Sequence, residues 1–247
     1  MSVARITPLL ALMALSVLAT GSAVLAATSG PAACRPGANL ACSEVVNWSG
    51  RNLTGVNLSG SSFRDTSSAP SRFIGTNFTR AVLTRTNFGD ANLTRANFTR
   101  AIVNGTRFRG NLSRTSFTGA RIAASWVGAN FTGADFVGAR IGRLSARRVN
   151  FTRANLAGVN LTNANLVEAN LTRADLTEVD LTGANLSRAN LTGANLSGAN
   201  LDGALLRGAN LTSANFLGAT NFPRRGINGV MWSNTICPDG GVTTIGC

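Results

Sequence analysis

Large apolar residues recur at every fifth position along most of this chain. One register runs through Trp48, Leu53, Leu58 and Phe63, then Phe73, Phe78, Leu83, Phe88, Leu93, Phe98, Val103 and Phe108. A second holds Leu112, Phe117 and Ile122, and a third runs from Trp126 to Phe216, with Leu at every fifth position from Leu156 to Leu211. Each change of register is the loss of one residue, between Phe108 and Leu112 and again between Ile122 and Trp126. Two positions before most central residues stands a small one, as at Ala91, Ala96, Ala184, Ala189 and Ala194; Asn usually lies between them, and Ser, Thr, Gly or Arg follows. An amphipathic helix needs apolar residues at spacings of three and four, and a half-buried strand needs them at two. Neither template fits. Two inward residues in every five describe a chain that turns a corner every five residues about a narrow axis, and self-similarity over most of a chain marks a solenoid.

Details of the pattern agree with an inward core. At Leu144 and Ala146 the large and small residues are exchanged, so the volume of that side is conserved, as a packed interior requires. The stretch RDTSSAPSR, residues 64–72, keeps the spacing but puts Ser68 in a central place, which predicts an irregular side or a surface bulge. The one-residue losses predict shortened corners with broken ladder pairing at Phe108 to Leu112 and Ile122 to Trp126.

The tandem motif A[N/D][L/F]xx, present as ANLTR, ANFTR, ADFVG, ADLTE and ANLSG, resembles the pentapeptide-repeat family. The resemblance covers residues 46–222. It implies an all-β fold, a right-handed quadrilateral β-helix with four pentapeptides to a coil. About eight coils at about 4.8 Å each would make a rod about 40 Å long. In a twenty-residue coil, residues twenty apart stack, so Arg148, Glu168 and Arg188 are expected to form a charge ladder on one face. The ends of such a rod expose unpaired strand edges. The segments CRPGANLAC and TNFPRRGINGVMWSNTICPDGGVTTIGC read as caps, which divides the chain into a leader at 1–26, an N-terminal cap at 27–45, the solenoid at 46–222 and a C-terminal cap at 223–247.

The leader reads as an export signal: a basic start in MSVAR, an apolar run from Leu9 to Ala19, and a small-residue cleavage site at Val24 to Ala26. That run is too short to span a bilayer. A lipid-anchored start at Cys34 would place Pro31, a poor fit, three residues before it and leave a long spacing from the apolar run. Removal of Arg5 with the leader leaves 22 Arg against ten acidic residues, a net charge of +12. A secreted or periplasmic location is expected. Four cysteines in an exported chain imply two disulfides, with three connectivities open. The economical pairing is local, Cys34 with Cys42 and Cys237 with Cys247; zinc ligands usually come in tighter pairs.

Composition narrows the chemistry. The chain has no His, no Tyr and no Lys, and its 23 basic residues are all Arg. General acid–base catalysis near neutral pH falls mostly to His, so an enzyme is not expected. No cofactor, no metal site and no small-molecule substrate is read from the sequence. Charge is the informative feature. From Arg51 to Arg153 stand 16 Arg and three acids; from Ala154 to Phe222, three Arg and five acids. Arg80 and Arg100 are expected to stack one coil apart, with Arg85 and Arg95 on neighbouring faces, as a contact for an anionic polymer or an acidic protein. Arg used only for solubility is the plainer reading of the same residues. The family resemblance brings an alternative, since some members resemble DNA and inhibit type II topoisomerases, but that mimicry calls for an acidic, unexported rod.

Overall fold

The computed structural model describes residues 71–142 and 144–247. The leader, the N-terminal cap with Cys34 and Cys42, the repeats from residue 46 to 70 and most of RDTSSAPSR lie outside the described residues.

From Ser71 onward the chain winds as a solenoid of parallel bridges that join residues twenty apart, such as Asn150 with Asn170 and Asn170 with Asn190. Four sides of five residues make one coil. The first face carries the central residues Phe73, Leu93, Leu112, Phe131 and, onward, Phe151 to Leu211; the second runs from Phe78 to Phe216; the third from Leu83 to Leu201; the fourth from Phe88 to Leu206. These central residues and the small residues two positions earlier are buried. The core is therefore a single column enclosed by four walls. On the second face the phenyl rings of Phe78, Phe98, Phe117 and Phe136 stack nearly parallel, with centroids 4.9, 4.6 and 5.1 Å apart.

Where Asn or Asp precedes the core residue, the five-residue unit accounts for every backbone donor it contains, as burial against neighbouring coils demands. On the side at residues 91–95, Ala91 N–H bonds back to the Phe88 carbonyl, Asn92 N–H donates to the coil below, and Leu93 and Arg95 N–H donate to the coil above. Only the Thr94 amide is left over by the ladder, and Asn92 Oδ1 accepts it at 3.1 Å together with the Thr94 hydroxyl at 2.7 Å. Asn or Asp recurs before the central residue for this reason: its side chain closes the turn. The last residue of the unit turns the corner in the left-handed region, as at Gly133 with φ 65° and Arg153 with φ 56°.

The two lost residues fall where the sequence places them. Partners are offset by nineteen across one loss (Asn92 with Asn111, Asn111 with Asn130), by eighteen where both intervene (Arg107 with Ser125), and by twenty in the other bridges as far as Asn200 with Thr220. The ladder shifts register opposite both segments. No described residue between Phe108 and Leu112, or between Ile122 and Trp126, has a positive φ. What is lost is the left-handed corner; at the second loss extended backbone replaces it, and at the first the chain bends at Gly110. The longest strands lie beside these places: β1 (Asn87–Gly89), β2 (Ile102–Phe108), β3 (Arg121–Ser125) and β4 (Arg140–Ile141) form one parallel sheet in that order.

The exchange at Leu144 and Ala146 also has a cause. Ser125 pairs with Ser145, so Ala146 stands directly over Trp126 on the fourth face. The indole fills the width of the core, with ring centroids 4.6 Å from Phe131, 5.5 Å from Phe136 and 6.1 Å from Phe151 of the next coil. A small residue above it makes the room.

The ladder continues past residue 222. Met231 pairs over Asn210 and Ile236 over Asn215, so part of the C-terminal segment lies on the last coil as a further layer. Phe222 and Trp232 pack against the core from that end. β5 (Thr235–Ile236) and β6 (Val242–Thr243) form a small antiparallel ribbon, and the disulfide Cys237–Cys247 ties the terminus back across it.

Candidate functional site

Arg80, Arg85, Arg95 and Arg100 all occupy corner positions, with φ between 57° and 58°. Arg80 N–H donates to the carbonyl of Thr99 at 2.9 Å, which sets its residue one coil below Arg100 on the corner that closes the second face. Arg95 closes the first face and Arg85 the third. The four guanidinium groups therefore occupy three successive corners of two coils rather than one flat patch. A ligand engaging all four must wrap the rod.

These positions carry an energetic signature. A left-handed residue with a side chain costs roughly 1–2 kcal/mol relative to a relaxed conformation, a cost Gly does not bear. Gly75, Gly105, Gly119 and Gly133 occupy the same kind of corner in neighbouring coils. Arg nevertheless fills nine described corners: the four named and Arg114, Arg148, Arg153, Arg173 and Arg188. The side chain at a corner leans toward the next coil, since a Cβ on Gly105 would meet Arg85 Cγ at 3.5 Å and one on Gly119 would meet Arg100 Cγ at 3.6 Å.

The expected charge ladder is present. Arg148 Nε donates to Glu168 Oε2 at 2.6 Å, and Arg188 Nη1 lies 3.8 Å from Glu168 Oε1. The hydrogen bond from Arg148, then its charge, hold the Glu168 carboxyl below its ordinary range, and Glu168 raises Arg148 in return. Both cations are largely exposed, so the ladder adds little stability. One carboxylate between two cations offsets part of the positive charge on the fourth face, in contrast to the corners of Arg80 and Arg100. Asp180 is the other shifted carboxylate: hydrogen bonds from the Thr182 hydroxyl and amide lower it, and burial opposes them.

Among the described residues no group of three or more His, Cys, Asp or Glu is placed to hold a metal, and no helix is long and apolar enough to cross a membrane. Arg114, Arg153 and Arg173, which continue the corner of Arg95, were not singled out by sequence reasoning. Writing the chain in coils with one-residue gaps at the two losses brings them into one column.

The family model for pentapeptide repeats matches this chain in eight copies over residues 71–110, 111–153, 154–193 and 189–220. Among solved structures, HetL from the cyanobacterium Nostoc, a pentapeptide repeat protein involved in heterocyst differentiation regulation, is 29% identical, with 83% of this chain and 92% of that chain covered and a TM-score of 0.35. QnrB1, a plasmid-mediated fluoroquinolone resistance protein, is 20% identical, with 77% and 92% covered and a TM-score of 0.37. A pentapeptide repeat protein of the Arabidopsis thaliana thylakoid lumen is 30% identical over 47% of this chain and 68% of its own, with a TM-score of 0.26. No curated protein matches the chain.

Proposed function

The chain belongs to the pentapeptide-repeat family, and from that premise we propose that it is an exported, non-catalytic interaction rod whose basic N-terminal half takes an anionic polymer or an acidic protein as partner. The rod is read as a right-handed quadrilateral β-helix closed by a disulfide at each end. Twenty-residue coils with four sides and the bond Cys237–Cys247 support that reading. The N-terminal leader and the cysteine count support a secreted or periplasmic location.

One observation carries the binding role. Arg stands at strained corners where Gly is the relaxed choice, and it does so at Arg80, Arg85, Arg95 and Arg100 in two adjoining coils. Solubility alone is served equally by Arg one position earlier, where the backbone is unstrained. A DNA-mimicking topoisomerase binder is the alternative that the family brings. It calls for an acidic rod, whereas the described part of residues 71–153 bears two carboxylates, Asp90 and Asp135, among its many Arg. A DNA-supercoiling assay with a type II topoisomerase reads that alternative directly.

The test replaces Arg80, Arg85, Arg95 and Arg100 together by Ser, a residue this chain already holds at a corner, Ser213 with φ 57°. Parent protein is expected to bind a heparin matrix and to be released steeply by salt, as counterion release requires. The variant is expected to lose retention at low salt with its melting midpoint nearly unchanged. Retention equal to the parent would remove this patch from the proposal.

A further inference from the structure

The first face differs from the other three. Over seven successive coils its outward residue before the core is always Asn, from Asn92 to Asn210, and the one after the core is always Thr or Ser, from Thr94 to Thr212. No carboxylate stands on any side of this face, whereas Asp135 and Asp175 lie on the second, Asp180 and Asp202 on the third, and Glu168 on the fourth. Its corner column over these coils reads Arg95, Arg114, Gly133, Arg153, Arg173, Gly193, Ser213. At about 4.8 Å per coil this sets two pairs of guanidinium groups about 14 Å apart.

Turn chemistry does not enforce that uniformity. Elsewhere the same outward positions accept Ile102, Val137, Leu205 and Leu217 without loss of the coil. Nor does the corner require Arg, since Gly133 and Gly193 occupy it at φ 65° in the same column. The stems of Arg114 and Arg173 lean along the axis, so that a Cβ on Gly133 or Gly193 would meet their Cγ atoms at 3.7 and 3.4 Å.

We propose that this face is a docking track for a linear acidic polysaccharide lying along the solenoid axis, with its anionic groups against Arg95, Arg114, Arg153 and Arg173. The inference rests on the polyanion reading above and narrows it to one face and one class of polymer. Guanidinium forks match carboxylate or sulfate oxygens in paired hydrogen bonds. Thr hydroxyls donate to Asn Oδ1, as Thr132 does to Asn130 and Thr152 to Asn150, both at 2.6 Å. That leaves amide N–H donors and hydroxyl lone pairs for a polymer rich in hydroxyls, which both donate and accept. Single-stranded nucleic acid draws much of its affinity from stacking on exposed aromatic rings, and the aromatic residues of this face, Phe73, Phe131 and Phe151, are fully buried.

Titration calorimetry of the full chain with polygalacturonate oligomers of increasing length tests the track, beside an oligothymidylate of matched charge. Affinity for polygalacturonate is expected to rise until the oligomer spans Arg95 to Arg173, four coil steps or about 19 Å, and then to level. Replacing Arg114, Arg153 and Arg173 by Gly, the residue native to this column, is expected to weaken binding about 100-fold or more while Arg80, Arg85 and Arg100 remain. Parent-like affinity in that variant overturns the track but leaves the Arg80, Arg85, Arg95 and Arg100 test standing. Equal affinity for oligothymidylate overturns the polysaccharide assignment. A parent that binds neither polymer overturns the track and, if heparin also fails to retain it, the anionic-polymer reading with it.

Discussion

Of the described glycines Gly110 leaves least room for a side chain, and replacing it with Ala isolates what the shortened side demands. A Cβ placed on Gly110 lies 2.0 Å from the Ala91 carbonyl oxygen and 2.6 Å from the Asp90 carbonyl carbon. Non-bonded heavy atoms settle at about 3.5 Å or more, so the two coils must part locally by over ~1 Å. Both clashing groups are main chain, fixed by Arg109 and Gly110 N–H donating to the Gly89 carbonyl at 2.8 and 3.1 Å and by Asn111 N–H to Ala91 at 3.2 Å. Breaking two of these at about 1 kcal/mol each, with about 1–3 kcal/mol for overpacking, gives a loss of about 3–5 kcal/mol. For a chain of this size that is a fall in melting midpoint of about 6–20 °C. Gly128→Ala is the control: Gly128 has φ +74° and an added methyl would meet nothing within 4 Å, so only the left-handed strain of about 1–2 kcal/mol applies. Thermal melting by circular dichroism compares the two, and amide exchange is expected to show the Gly110→Ala damage confined to residues 86–115, because coils couple only to neighbours. Equal midpoints for the two variants would refute the close-approach argument.

Ala146→Leu is expected to cost about 1–3 kcal/mol by crowding the indole beneath it. Adding Trp126→Leu, which also removes an Nε1 donor that has no partner among the described residues, is expected to restore most of that loss in a double-mutant cycle; additive costs would place the two side chains out of contact. Asp180 contributes stability above the ordinary aspartate range, near pH 4, because its folded pKa is lowered, and the contribution disappears as pH falls through the lowered value. Asp180→Asn keeps the Oδ1 acceptor, as Asn190 does for Thr192 at 3.1 Å, but has no proton to gain; its melting midpoint is therefore expected to fall less than the parent's on acidification through that range, and an equal fall would count against the assignment.

The five-residue period was enough to read the walls, the core positions and the two shortened sides, because each coil buries its residues only against the next. The Arg148, Glu168 and Arg188 column followed from the same counting. The corner conformation did not follow, because Gly, Arg, Glu, Asn and Ser all occur at that position and an outward polar side chain looks unconstrained until its φ is known. The reason for Ala146 lay with Trp126, twenty residues away and larger than the Leu or Phe that the pattern expects. Met231 and Ile236 continue the ladder although residues 223–247 lose the period, since pairing to a finished coil needs backbone rather than motif. The uniform first face was present in the amino-acid order, and only alignment by coil brings Asn92 to Asn210 into line.

Because each side repeats the same exchange of amide hydrogen bonds with the coils below and above, the chain keeps phase by sides rather than by residue number. Two coils give up a residue each, yet Asn92, Asn111, Asn130 and Asn150 still stand in one row. A whole coil inserted or removed would leave every remaining column where it was. Reach and specificity are thereby separable: duplication of a twenty-residue block lengthens the graduated edge that a polymer meets without altering any mark already on it.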